Sequence, residues 1–428
     1  MLNNYEFEGI FNKVYNDLME AYYEARKHKL GTIDEITFER NLAENIYHLT
    51  IEIVTKSYAP SPGIAFIVEK PVIREILAAT FRDRVVHHYI YNHIAGWWDR
   101  RFINDSYSCR VGKGTDYGIR RLYAMMRRVS DNFHEKTIVY KFDLSGYFMS
   151  LPHEELYRTA VKGLGLQFKE KPPVYDILEY LLRQTIFCDP KENVKIRGPK
   201  ELWAKLPQNK SLFCQPPGQG LPIGNLTSQL LSNIYMNQFD FWATNIMGRK
   251  NYGRYVDDFF FVVRWNEEGE FRRVMMPAIE EMIDGLKLKL HPHKMFSQEI
   301  WAGVPFLGAV LYPYRVLPSS RLIKNYYELV RKISAGEELN FEGLISYMSR
   351  CQHFDANKVQ AKIFNSVGWE WQYDPNCNSL FYTNPKKYAR KRKKWNLEGE
   401  SRHAERRARR AMTIIEKLES SASVTELY

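Results

Sequence analysis

Cysteine is scarce and dispersed. Cys109, Cys188, Cys214, Cys351 and Cys377 are spread over 428 residues with no Cys-x-x-Cys pair. That pattern excludes a disulfide framework and a cysteine zinc site, and a reducing cytoplasm is the expected setting. Long apolar runs are missing too. No window reaches ~18 uninterrupted apolar residues, so no membrane span is expected. The opening residues, Met1-Leu2-Asn3-Asn4-Tyr5-Glu6, lack the basic start and apolar stretch of a secretion signal. Acidic charge is in deficit, with 50 Asp and Glu against 61 Lys and Arg, a net +11. No internal repeat is visible. The run Gly112-Lys113-Gly114-Thr115 does not have the ending of a phosphate-binding P-loop.

What is present is a globular composition, 45% hydrophobic and 14% aromatic, in a chain long enough for two or three subdomains. The positive excess is local. From Lys386 to Arg410 there are twelve Lys or Arg against three Glu, a net +9. A basic segment of this kind points to nucleic acid or an acidic partner.

Apolar residues at helical spacing (Phe7, Ile10, Phe11, Val14, Leu18, Tyr22) predict one helix near the start, and Leu42, Ile46, Ile51 and Ile53 predict a second. Tyr58-Ala59-Pro60-Ser61-Pro62-Gly63 breaks the pattern, and Ile64–Val68 reads as a strand. A helix is expected over 81–98. Thr137–Phe142 reads as a strand running into Asp143. A helix over 225–245 follows the Pro/Gly-rich loop 216–220. A hairpin over 251–263, a helix over 271–286 and a strand beginning at 286–290 come next, and residues 320–372 read as largely helical. The order predicts an α+β sheet with helices on one face.

Tyr255-Val256-Asp257-Asp258 is the most telling stretch. The aspartates lie between two short strands, where a tight turn falls. Hairpin turns favour Asn-Gly or Asp-Gly, because glycine accepts positive φ. An Asp-Asp pair gains nothing from that, and its like charges repel. Taken alone it also reads as a solvated acidic turn. A hard divalent cation would turn the liability into a site. Asp143, at the end of an apolar strand, is the candidate third carboxylate. Three such groups suit a two-metal site, with ions roughly 3.5–4 Å apart clamping the attacking and leaving oxygens of a phosphoryl transfer.

These residues resemble the catalytic motifs of the reverse transcriptases. Phe142-Asp143-Leu144-Ser145-Gly146-Tyr147-Phe148 is similar to the first and Tyr255–Asp258 to the second, and the resemblance extends over roughly residues 40–380. It implies a right-hand polymerase with N-terminal helices and fingers (1–105), palm (106–314), helical thumb (315–383) and a basic extension (384–428). It implies two Mg²⁺ ions, with Mn²⁺ as the substitute, held by Asp143, Asp257, Asp258 and the Leu144 carbonyl. Phe148, five residues after the first aspartate, falls at the steric gate that excludes a ribose 2′-hydroxyl. Lys70 and Arg74 match the residues that hold the incoming triphosphate, and Lys294 a basic residue near the nucleotide. Phe306, Leu307 and Gly308 match the primer grip. His291 and His293, two apart with no carboxylate between them, do not read as a metal site.

Leu221-Pro222-Ile223-Gly224-Asn225-Leu226-Thr227-Ser228-Gln229 departs from the usual Gln-Gly-x-x-x-Ser-Pro. Ile223, Gly224 and Gln229 here, with Asn104–Arg110, resemble the enzymes of diversity-generating retroelements, which copy a template RNA with errors at adenines. That subtype implies a structured template RNA, a primer or cDNA end, dNTPs and a small helical-bundle accessory protein, with no membrane partner. Arg390, Lys391, Arg392, Lys393, Lys394, Arg406 and Arg407 are then expected to bind RNA, with Trp395 available to stack on a base. The rivals are an anti-phage defence reverse transcriptase and a nonpolymerising RNA-binding scaffold.

Overall fold

The computed structural model describes residues 4–27, 31–69, 72–189, 191–192, 194–337, 340–368, 371–374 and 379–382. Lys70 and the basic residues Arg390, Lys391, Arg392, Lys393, Lys394, Arg406 and Arg407 lie outside them, as does Trp395. The chain divides into two compact units, residues 1–314 and 315–428. Among the described residues no helix is long and apolar enough to cross a membrane.

The first unit opens with three helices, α1 (Asn4–Arg26), α2 (Ile33–Arg40) and α3 (Leu42–Val54), where periodicity predicts two. The extra helix is held by polar contacts that an apolar period does not register. Thr32 caps it by accepting from the Glu35 amide, and buried Glu35 pairs with Arg26 at 3.2 Å. β1 (Ile64–Val68) and β2 (Arg74–Ala78) pair antiparallel. α4 (Phe81–Asp99) starts at Thr80, whose hydroxyl accepts from the Asp83 amide and donates to its carboxylate at 2.8 Å. Arg82 and Asp83 form a structural pair at 2.9 Å. α5 (Thr115–Val129) then leads to β3 (Thr137–Asp143).

After β3 come α6 (Tyr147–Ser150), α7 (His153–Gln167) and α8 (Pro173–Phe187). β4 (Lys195–Ile196) returns to pair in parallel with β1, and α9 (Lys200–Ala204) follows. α10 (Leu226–Phe241) ends in a π-turn over Trp242–Ile246. The hairpin β5 (Tyr252–Tyr255) and β6 (Asp258–Arg264) is followed by α11 (Glu268–Glu270), a π-turn and α12 (Met276–Gly285). The expected strand at 286–290 is absent. Leu286 and Leu288 donate back to the Ile283 carbonyl, closing the end of α12, and Lys287 takes φ +56°. Only an isolated bridge, Leu144 with Leu290, forms there. The strand comes later, as β7 (Phe296–Glu299), before the hairpin of β8 (Val304–Phe306) and β9 (Ala309–Tyr312).

β5, β6, β3 and β7 form one antiparallel sheet in that order. β3 and β6 are central and nearly wholly buried, which is why they read as continuous apolar runs. Phe142, Phe259 and Phe261 join the large core with Phe239 of α10 and Ile279 of α12. On the opposite face Phe260 meets Phe306 of the β8–β9 hairpin and Tyr107, which also lies against Gly118 of α5. A smaller cluster of Ala65, Leu77, Met149 and Leu212 lies beneath the β1–β2 sheet.

The second unit contains β10 (Arg315–Pro318), then α13 (Ser320–Ser334), α14 (Phe341–Gln352) and α15 (Asn357–Asn365). The expected helicity does not run to 372. Trp371–Asp374 is a strand, β11, paired antiparallel with β12 (Ser379–Tyr382).

Gly253 leaves no space for a side chain. A Cβ there would lie 2.6 Å from Phe260 Cζ and against the Tyr107 hydroxyl. Gly253→Ala is therefore expected to lower the urea unfolding free energy by ~1–3 kcal/mol, the usual cost of overpacking.

A candidate active site at the end of the central sheet

Sheet register brings two of the three predicted aspartates directly opposite each other. Asp143 ends β3 and pairs with Asp258, the first residue of β6. Tyr255 is also opposite Asp258, so the hairpin turn consists of Val256 and Asp257 alone. The sequence places both aspartates in the turn; the structure places one in the turn and one in the strand. Val256 adopts φ +59°. Two-residue hairpins of this kind normally put glycine at that position. A β-branched residue held there stores strain of ~1–3 kcal/mol.

Main-chain bonds fasten the strand ends. The Leu144 N–H donates to the Asp257 carbonyl at 3.1 Å, and the His291 N–H to the Asp143 carbonyl at 2.7 Å. Two lysines supply counter-charge. Lys294 Nζ lies 2.8 and 3.0 Å from the Asp143 carboxylate oxygens. Lys141 Nζ lies 3.1 Å from Asp258, with the rings of Phe296 and Phe306 each 5.4 Å away. Among the described residues no cation pairs with Asp257. Burial, then the charge of Asp143, pushes its pKa up to about 6. Burial also raises Asp258, against the pull of Lys141.

Among the described residues no three His, Cys, Asp or Glu side chains are grouped so that they could hold a metal ion as they stand. Lys294 and Lys141 hold two of these carboxylates instead, and Asp257 is left beside like charge. By type the donors suit a hard divalent cation, since Asp143, Asp257 and Asp258 bring carboxylate oxygens to one end of the sheet.

Behind the turn lies a buried polar network that sequence reasoning missed. Arg254, fully buried, forms a bidentate pair with Asp240 of α10, Nε to Oδ1 at 2.8 Å and Nη2 to Oδ2 at 2.7 Å. Its Nη1 donates to Asn233 Oδ1 at 3.2 Å and to the Val256 carbonyl at 2.9 Å, and Nη2 also donates to Ser106 Oγ at 3.2 Å. The Tyr252 hydroxyl donates to Asp240 at 2.7 Å. The available signal was weak: Asp240 is the one charged residue of α10, seven positions after Asn233 in a helix that also carries Thr227, Ser228, Gln229, Ser232, Asn237 and Gln238.

The other predicted residues are distributed as follows. Phe148 is half-buried beside Tyr147, and its carbonyl accepts from the Leu221 N–H at 2.7 Å. The Ile223 carbonyl accepts from the Leu77 N–H at 3.0 Å, so this loop runs along β2. The Ile223 side chain packs on the small apolar cluster there. Gly224 takes φ +122°, with Ile76 close by. Gln229 is exposed on α10, and Arg74 is exposed at the start of β2. Leu307 and Gly308 form the β8–β9 turn with φ +48° and +85°, after buried Phe306.

A family model described as reverse transcriptase (RNA-dependent DNA polymerase) matches residues 69–311. Protein YkfC of Escherichia coli (strain K12) is 22% identical over 315 residues, covering 64% of this chain and 73% of YkfC. Among solved structures, apo telomerase from Candida tropicalis aligns with a TM-score of 0.42 and 11% identity. That alignment covers 72% of this chain and 58% of the telomerase chain, so this chain spans less than two thirds of it.

With its pKa raised to about 6, Asp257 is favoured in its protonated form by the fold. Its ionisation therefore costs stability, increasingly as pH rises from the ordinary carboxylate range to about 6, and in full above that. Asp257→Asn is expected to raise the Tm of the metal-free protein at pH 8 and to leave it unchanged near pH 3. Mg²⁺ should raise the wild-type Tm at pH 8 and raise that of Asp257→Asn much less. Equal Tm values and equal Mg²⁺ shifts would contradict the assignment.

Proposed function

Because the chain belongs to the reverse transcriptase (RNA-dependent DNA polymerase) family, with its right-hand polymerase architecture, we propose that it extends a primer end with deoxynucleotides on an RNA template. The observation that carries the reading is the pairing of Asp143 with Asp258 next to the strained turn that bears Asp257. Two Mg²⁺ ions held by these carboxylates and the Leu144 carbonyl would supply activation of the primer hydroxyl and charge neutralisation at the phosphates. Residues 1–105 and 106–314 are assigned to fingers and palm, 315–383 to the thumb and 384–428 to an RNA-binding extension. Arg74, with Lys70, binds the triphosphate; a guanidinium at an exposed strand start suits bidentate phosphate contact. Phe148 closes the sugar pocket against a 2′-hydroxyl, and Lys294 exchanges its contact with Asp143 for one with the nucleotide. Phe306, Leu307 and Gly308 hold the primer.

The subtype we propose is the enzyme of a diversity-generating retroelement, working with a structured RNA and a small helical-bundle accessory protein. Ile223, Gly224 and Gln229 support it. An isoleucine packed on an apolar cluster leaves fewer fixed polar contacts near the template base than an amide, and mispairs are then less well rejected.

Purified protein is expected to extend a DNA primer on RNA with dNTPs, and Asp257→Ala to abolish extension. Extension that survives Asp257→Ala would remove the polymerase reading. Phe148→Ala should raise ribonucleotide incorporation at least 10-fold relative to dNTPs, measured by single-nucleotide kinetics. Ile223→Gln should lower the adenine error frequency in sequenced cDNA; an unchanged frequency would contradict the subtype.

A further inference from the structure

We propose that Arg254 is the positioning residue of the active-site turn, fixing Asp257 by holding the strained backbone of Val256 from behind. The inference rests on the polymerase reading above, and adds a residue that touches neither metal nor substrate.

Val256 is β-branched and adopts φ +59°, a conformation it would leave if unconstrained. Two bonds oppose that relaxation. The Leu144 N–H donates to the Asp257 carbonyl at 3.1 Å, and Arg254 Nη1 donates to the Val256 carbonyl at 2.9 Å. The second is a charge-assisted bond to the strained residue itself.

Arg254 is suited to this by its lack of freedom. All five guanidinium hydrogens have acceptors: Asp240 twice, Asn233, Ser106 and the Val256 carbonyl. Its main chain is fixed as well. The Arg254 N–H donates to the Asp105 carbonyl at 2.8 Å, and its carbonyl accepts from the Tyr107 N–H at 2.9 Å. The segment Asn104–Arg110 thus borders β5 as a further edge, and Asn233 Nδ2 ties it to α10 through the Ser108 carbonyl at 2.9 Å. This gives a structural task to a segment that the sequence marks only by resemblance. The turn is referenced through one guanidinium to α10, β5 and the 104–110 segment together.

A lysine cannot reproduce the fork that serves Asp240 and Val256 at once. Arg254→Lys keeps a buried cation for Asp240 and loses the turn contact. Arg254→Met with Asp240→Leu removes both buried charges together and avoids leaving one unpaired. Each is tested in single-nucleotide extension by the full chain, alone and with Val256→Gly, because glycine takes positive φ without strain. At each variant's folded temperature, kcat is expected to fall at least 10-fold, KM for dNTP to change less than 3-fold, and the Mg²⁺ midpoint to rise. Val256→Gly should recover at least 3-fold of the lost kcat. Wild-type kcat in a folded Arg254→Lys or double variant, or no recovery with Val256→Gly, would overturn the proposal. If the wild type itself shows no extension that depends on Asp257, the polymerase reading fails instead, and the two failures are distinguishable.

Discussion

The buried ion pair between Arg254 and Asp240 is the contact on which the candidate site depends. Both side chains are fully removed from water, which is costly for two charges unless every donor and acceptor is used. Here the fork is saturated, and Tyr252 adds a further donor to Asp240. The pair joins α10 to the β5–β6 hairpin and to the segment leading out of Phe102. α10 and the hairpin follow one another in the chain, but the third element is remote, with 148 residues separating Ser106 from Arg254. What the pair orders is a turn that would otherwise prefer another backbone conformation.

In front of that turn the electrostatics run the other way. Asp257 is half-buried, has no cation paired with it among the described residues and is flanked by Asp143 and Asp258, and its carboxyl is pushed up accordingly. Lys294 and Lys141 hold the outer carboxylates. They differ in how free they are to leave: Lys294 is exposed, whereas Lys141 is packed between two phenylalanine rings. A divalent cation held by these carboxylates would compete with both lysines, of which Lys294 is the more exposed. Lys141 also links Asp258 to Phe306, so the carboxylate and the hairpin assigned to the primer share a neighbour.

Much of this was readable in the sequence, and the residues explain why. Asp143 and Asp258 were legible because β3 and β6, the strands they end and begin, are central, and central strands carry unbroken apolar runs. Asp258 could not be told from Asp257 as a turn residue without the register. Arg254 sat in plain view in Tyr252-Gly253-Arg254-Tyr255, but its partners come from α10 and from 104–110, and long-range polar pairing leaves no period. The misplaced strand at 286–290 has the same cause in reverse. Its leucines alternate as a strand would, yet Leu286 and Leu288 close the end of α12 and Leu290 makes only an isolated bridge. Ile223 was singled out for chemistry, and its side chain is also part of the packing beneath β2.

The central claim is that Asp143, Asp257 and Asp258 together hold divalent cations for nucleotidyl transfer. It is tested most directly by counting Mn²⁺ bound to the protein with template–primer and a non-hydrolysable deoxynucleotide, using electron paramagnetic resonance. The account predicts two ions per chain in the wild type and loss of at least one in Asp143→Asn and in Asp257→Asn. Two ions retained in both variants would contradict it.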